Sequence, residues 1–302
     1  MLGLYPEGIV TAIITSLKGD MEIDEEGITA LTKFLLDKGI KSFFVLGTYG
    51  EGILISKDER KKVLEKIVEV VPDKTNIIAH VGAPDAKTAL ELAKHAANLG
   101  LSAVSSFGPI YHKPDRVGLI SYYNYISKAE VPIIIYNNKL RQGYNISPSD
   151  FEVISKEIPS VVGIKDTSYD VEQLQNYVNM FGKSYYVAGA GDSLVAITFT
   201  IGAKAHVCGI ANAFPEIPIA IYAAIKEGKI KKAIELQSVI NNLRKEFSRF
   251  GVETQVVLRE VLRLRGINTG ESPIPLRKLS EKEKFEVEKI FRPYIEYAES
   301  LR

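Results

Sequence analysis

An amine and a phenol stand at the ends of two β-branched runs. Lys165 closes the apolar part of VVGIKDTS (161–168), and Tyr136 that of IIIYN (133–137). A lysine so placed either runs its apolar stem back to water or is held in a pocket because chemistry needs an amine. An apolar pocket disfavours the charged form, so an ammonium with an ordinary pKa of about 10.4 gives up its proton more readily there. The free amine attacks a ketone carbon and forms a Schiff base. A neighbouring phenol shuttles the protons that imine formation and carbon–carbon cleavage require.

Other chemistry-bearing residues follow similar runs. The loop GTYGEG (47–52) offers the Thr48 hydroxyl and glycine-flanked N–H groups, a nest for a carboxylate or oxyanion, or else a plain turn. Glu51 in that loop reads as an acceptor that holds it together rather than as an acid. Arg141 in IIIYNNKLRQG is a fork for a second carboxylate, or a surface arginine. AGAGDS (188–193) has the composition of a phosphate loop, although Asp192 looks more like a helix cap. Cys208 reads as a small buried hydrophobe. His80, His95, His112 and His206 show no metal-ligand spacing, and with a single cysteine no metal centre is expected.

These residues need elements to carry them. Strand-like runs occupy 8–17, 42–48, 76–82, 103–108, 132–137, 161–167, 185–191 and 205–210. Between them lie amphipathic stretches such as 24–39, 56–71 and 85–100, with stops at Gly39 and Gly100 and a capping-box start at Ser56 and Glu59. Alternating strands and helices imply a parallel sheet. Eight units suit a closed (β/α)8 TIM barrel, with active-site residues at the C-terminal strand ends. An open doubly wound sheet stays possible on pattern alone, but no GxGxxG follows the first strand. Helical patterns at 217–228, 229–251 and 253–266, a Pro/Gly-rich loop and a last helix exceed the barrel's needs. The expected division is a barrel over 1–228 and a C-terminal helical extension over 229–302.

The 302 residues carry a net charge of +1 and 25% charged side chains, so nothing favours nucleic acid or an anionic membrane as a partner. One cysteine and no signal-like leader fit a cytoplasmic protein.

The ordered set of motifs resembles the dihydrodipicolinate synthase and N-acetylneuraminate lyase family of pyruvate-dependent class I aldolases. GTYGEG stands for the family's GTTGE loop, GPIYHKP for its PYY segment, IIIYNNKLRQG for its YN(x)P segment and GIKDTS for its lysine strand. AGAGDS and GAKAHVCGIANAFPE match its later glycine-rich loops. The resemblance implies an imine between Lys165 and pyruvate or a 2-keto acid, with Tyr136 as acid–base phenol and Thr48 as hydroxyl relay. It implies that Tyr111 is lent across a tight-dimer interface within a homotetramer. Pyruvate's carboxylate would rest on the Thr48–Tyr49 backbone, and the carbonyl of Val207 would face the centre. Gly189 joins Tyr49, Arg141 and Val207 among the expected substrate contacts. No cofactor is implied, because the enamine is itself the electron sink.

Departures bear on the second substrate. Tyr49 replaces a threonine, Ile110 a tyrosine, Gln142 a threonine, and Asn138–Lys139 a stretch that usually holds a proline. Arg141 aligns with the arginine that dihydrodipicolinate synthases use for the carboxylate of aspartate semialdehyde, which makes that synthase reaction the leading expectation. A 2-keto-3-deoxygluconate-type sugar-acid aldolase is the alternative, and a non-catalytic keto-acid-binding relative is a third reading.

Overall fold

Parallel strands cannot be joined by tight turns, so every strand here is followed by a crossover that returns over the sheet. The computed structural model describes residues 5–301. Its strands are β1 (Gly8–Ala12), β2 (Ser42–Val45), β3 (Ile77–His80), β4 (Ala103–Phe107), β5 (Ile133–Asn137), β6 (Val161–Asp166), β7 (Tyr186–Ala190) and β8 (Ala205–Cys208). They pair in chain order, and β8 returns to β1 with Val207 opposite Val10. This closure removes both sheet edges and rules out the open alternative.

Several strands stop short of the expected runs, most clearly β1 at Ala12 and β2 at Val45. Ile13, Ile14, Leu17 and Leu46 beyond them are buried all the same. Hydrophobic runs report burial, and here burial continues into the rim loops after the ladder has ended.

The crossover helices are α1 (Glu25–Asp37), α2 (Lys57–Val70), α3 (Ala86–Asn98) and α4 (Arg116–Ser127), then α5 (Lys139–Gln142), a single short turn, and α6 (Pro148–Glu157). After them come α7 (Val171–Phe181), α8 (Val195–Thr200) and α9 (Glu216–Lys226). Gly39 and Gly100 follow α1 and α3 with positive φ, as the expected stops require. Ser56 caps α2 by accepting from the Glu59 N–H, but the Glu59 carboxylate is taken by Ile23 N–H and Lys62, so the reciprocal half of the expected capping box is missing.

Two apolar layers result. One fills the space between sheet and helices, and the other fills the barrel, where Val10, Phe44, Ile78, Ile134 and Tyr186 pack. Near the C-terminal mouth the interior side chains include Ala12, Ala190 and Val207, and their small size leaves a hollow above the packed layers.

The surplus helices are α10 (Ile230–Ser248), α11 (Thr254–Leu264) and α12 (Glu281–Glu299). Their buried faces join the same apolar cluster as the crossover helices. They also reach the mouth through polar ties. Gln237 on α10 accepts from Ala196 N–H and donates to the Asp192 carbonyl. Arg259 on α11 donates to Glu51 and to the Thr15 carbonyl. Among the described residues, no helix is long and apolar enough to cross a membrane.

Candidate active site

Strand alternation points every second side chain into the barrel. Tyr136 and Lys165 share an inward position because they are register partners on β5 and β6. The Lys165 stem passes among apolar walls, and its Nζ lies 3.5 Å from the centroid of the Tyr136 ring and 4.1 Å from that of Phe44. Lys165 is only 4% exposed, so it does not snorkel to water. Both residues line a cavity of about 200 Å³ at the barrel mouth, together with Thr48, Asn138, Thr167 and Val207.

Burial lowers the Lys165 pKa, and the adjacent Tyr136 opposes that shift without cancelling it. For Tyr136 burial raises the phenol, but the charge of Lys165 and the hydrogen bond with Thr48 outweigh it, leaving a net lowering. The amine therefore loses its proton more easily than in water, and the phenol is a better proton donor than a free tyrosine.

The Tyr136 hydroxyl is 3.2 Å from Thr48 Oγ1 and accepts from Asn138 Nδ2 at 2.9 Å. Asn138 Nδ2 also reaches Thr48 Oγ1 at 3.4 Å. Asn138 follows Tyr136 by two residues at a strand end, so its spacing marks it in the sequence beyond the absence of a proline there. Thr167, two residues after Lys165, also lines the cavity, and its hydroxyl lies close enough to Tyr136 to help lower the phenol.

On the opposite rim, the backbone N–H groups of Thr48 and Tyr49 donate to no acceptor among the described residues. Glu51 acts as an acceptor, but towards a distant residue rather than its own loop: it forms a buried ion pair with Arg259 on α11. Tyr49 lays its ring over Gly209, where a Cβ would lie 2.1 Å from a ring carbon. Its hydroxyl donates to Asp192 at 3.2 Å.

Asp192 corrects an expectation. It caps no helix of its own segment; its carboxylate accepts from Gly209 N–H at 2.8 Å, Ile210 N–H at 3.2 Å and the Cys208 thiol at 3.2 Å, so it clamps the short helical turn after β8. A carboxylate here also repels a phosphate, against that reading of AGAGDS. Cys208 is buried as expected. Gly189 is a second correction. Its Cα faces α8, where a Cβ would meet the Thr198 side chain at 2.5 Å, and it does not line the cavity.

Arg141 does line the cavity, but its fork is engaged: one guanidinium nitrogen lies 2.7 Å from each carboxylate oxygen of Glu253, just ahead of α11. Tyr111 is 96% exposed and lies outside the cavity lining of its own chain.

The profile of the dihydrodipicolinate synthetase family matches residues 5–293. The chain is 29% identical over 289 residues to the 4-hydroxy-tetrahydrodipicolinate synthase of Methanococcus aeolicus, covering 95% of this chain and 99% of that protein. Its fold is similar to that of a catalytic-lysine mutant of the Ruminococcus gnavus sialic acid aldolase, with a TM-score of 0.94, 28% identity and coverage of 99% and 98% of the two chains. A variant of the Sulfolobus solfataricus 2-keto-3-deoxygluconate aldolase superposes with a TM-score of 0.88 at 25% identity, covering 98% of each chain. With a match along almost its whole length, the chain belongs to the dihydrodipicolinate synthetase family and is an enzyme of that family's aldolase and lyase type.

Proposed function

We propose that Lys165 forms a Schiff base with pyruvate, or with a 2-keto acid to be cleaved, and that the resulting enamine makes or breaks a carbon–carbon bond with an aldehyde. The carrying observation is the buried Lys165 amine against the Tyr136 ring, at the C-terminal mouth of the barrel. A catalytic lysine in the sialic acid aldolase relative supports this reading. The amine attacks the ketone carbon, and loss of water gives the imine. Tyr136 hands protons to and from the reacting oxygen, and Thr48 and Asn138 hold its hydroxyl in place. The free N–H groups of Thr48 and Tyr49 hold the keto-acid carboxylate, and Val207 walls the far side.

Aspartate semialdehyde is the leading aldehyde, because Arg141 stands at the cavity rim. Its pairing with Glu253 is half exposed, and such pairs contribute only about 1 kcal/mol or less, so a substrate carboxylate competes for the fork at small cost. The same pairing favours the second reading, cleavage of a 2-keto-3-deoxy sugar acid, whose aldehyde end carries no charge for Arg141 to meet. Tyr111 of the partner subunit reaches the site in this proposal. A cavity of about 390 Å³ beside Thr48, walled by Ile53, Leu54, Phe107 and Ile110, supplies room for it. A homotetramer of tight dimers in the cytoplasm completes the reading.

Incubation with pyruvate and borohydride tests it: a mass gain located on Lys165 is expected, and its absence removes the imine. Condensation with aspartate semialdehyde, compared with cleavage of 2-keto-3-deoxygluconate, then separates the two readings. An Arg141→Ala variant unimpaired with the semialdehyde counts against the first.

A further inference from the structure

Two tyrosines wall one side of the cavity, each lying on a glycine. The Tyr49 ring covers Gly209. The Tyr169 ring covers Gly191, where a Cβ would lie 2.7 Å from a ring carbon, and Tyr169 itself adopts a left-handed backbone with φ 61°. A non-glycine residue holds that conformation only where its surroundings fix it, and such positions gather at ligand sites. Beside the Tyr49 ring sits Asp192, whose carboxylate is already taken by the Tyr49 hydroxyl, two N–H groups and the Cys208 thiol. Gly191, Asp192 and Gly209 still line the cavity, but on this side the two rings take up the space over the glycines and the Asp192 carboxylate is already engaged. The rest of the lining runs towards Asn138, Arg141 and Glu253, which also border the larger cavity beside Thr48. The cavity of about 200 Å³ is smaller than the roughly 300–1,000 Å³ of typical small-molecule sites.

We propose that Tyr49 is a specificity-determining residue that restricts the aldehyde partner to a short chain, by filling with its ring the space over Gly209 that a longer, polyhydroxylated aldehyde needs. This rests on the imine reading above. The ring does the excluding; the hydrogen bond to Asp192 orients it.

The test is the preference between two aldehydes, glyceraldehyde and the six-carbon mannosamine, each offered with pyruvate to the unaltered chain, Tyr49→Thr and Tyr49→Phe. Tyr49→Thr is expected to raise the kcat/KM for mannosamine relative to glyceraldehyde by about tenfold or more, the scale that pocket shape alone confers. Tyr49→Phe keeps the ring and is expected to keep the preference. Should the threonine variant not fold, Tyr49→Leu carries the same expectation. An unchanged ratio in Tyr49→Thr, with the borohydride adduct on Lys165 intact, overturns the filter alone. A shift in Tyr49→Phe equal to that in Tyr49→Thr also overturns it, since the ring is then not the cause. Absence of the adduct in the unaltered chain overturns the imine reading and the filter with it.

Discussion

Lys165 and Tyr136 are register partners on adjacent strands, and the lysine's Nζ lies 3.5 Å from the centroid of the tyrosine ring. The strand ladder itself fixes this pairing, so the amine and the phenol meet without any loop having to position them.

The amine's titration follows from that burial. Lys165 is shifted below its ordinary value by burial, with Tyr136 opposing. Below the shifted pKa the ammonium cannot attack a carbonyl; above it the free amine can. The rate of cyanoborohydride trapping with pyruvate is therefore expected to rise with pH through a midpoint below about 10.4, the value of an unperturbed lysine. Between the two values the unfolded chain holds a proton that the folded chain has lost, so stability contributed by this residue rises with pH across the same window. A trapping midpoint at or above the ordinary lysine value contradicts the burial argument.

Removing one oxygen isolates the phenol. Tyr136→Phe keeps the ring edge-on to Phe44 at 5.6 Å between centroids, so the core is undisturbed. It leaves Thr48 and Asn138 without their shared partner. Turnover is expected to fall by roughly 10²–10⁴-fold, the usual worth of a positioned acid–base group, while the Lys165 adduct still forms, though more slowly. Steady-state rates beside adduct mass measure both, and turnover within a few-fold of the parent rejects the acid–base role.

The loop that carries Thr48 depends on a distant arginine. Arg259 and Glu51 form an ion pair with side chains 4% and 1% exposed. Burial raises the Glu51 pKa despite the arginine's counter-pull, so the carboxylate is a costly charge to leave alone. Arg259→Met is expected to cost about 3–5 kcal/mol in denaturant unfolding, because it strands that charge. The Glu51→Gln/Arg259→Met double variant, which removes both charges, is expected to recover part of the loss. Equal losses in the two show that packing around Arg259, not the pair, carries the stability.

The barrel and the meeting of Lys165 with Tyr136 were legible because they rest on local signals: apolar runs with both faces covered, amphipathic helices between them, and polar residues at strand ends. Asp192 and Glu253 were not, since their meaning lies in partners 143 and 112 positions away, Tyr49 and Arg141. A carboxylate after a glycine looks the same in sequence whether it caps a helix or clamps a neighbouring loop. Gly189 was misplaced for a different reason. Strand parity decides which way a residue faces, and Ala188 and Ala190 take the interior positions on β7. In a run of alanine and glycine no polarity marks that parity.

Tyr111 gives the last prediction. It is 96% exposed, with a left-handed backbone at φ 70°, and its ring meets only His112 among the described aromatic contacts. A large apolar ring held out in water by an uncommon backbone conformation gains nothing within its own chain. The gain comes if a second copy receives it, in the cavity beside Thr48. Tyr111→Phe keeps the ring and its docking but removes the hydroxyl, so it is expected to lower turnover about tenfold or more while leaving the Lys165 adduct and the oligomeric state unchanged. Tyr111→Ala is expected to loosen the assembly as well, read as a shift towards smaller species in sedimentation. Full activity in a stable monomer, at a concentration where sedimentation shows no association, rejects the shared site, because turnover would then proceed with no partner hydroxyl within reach.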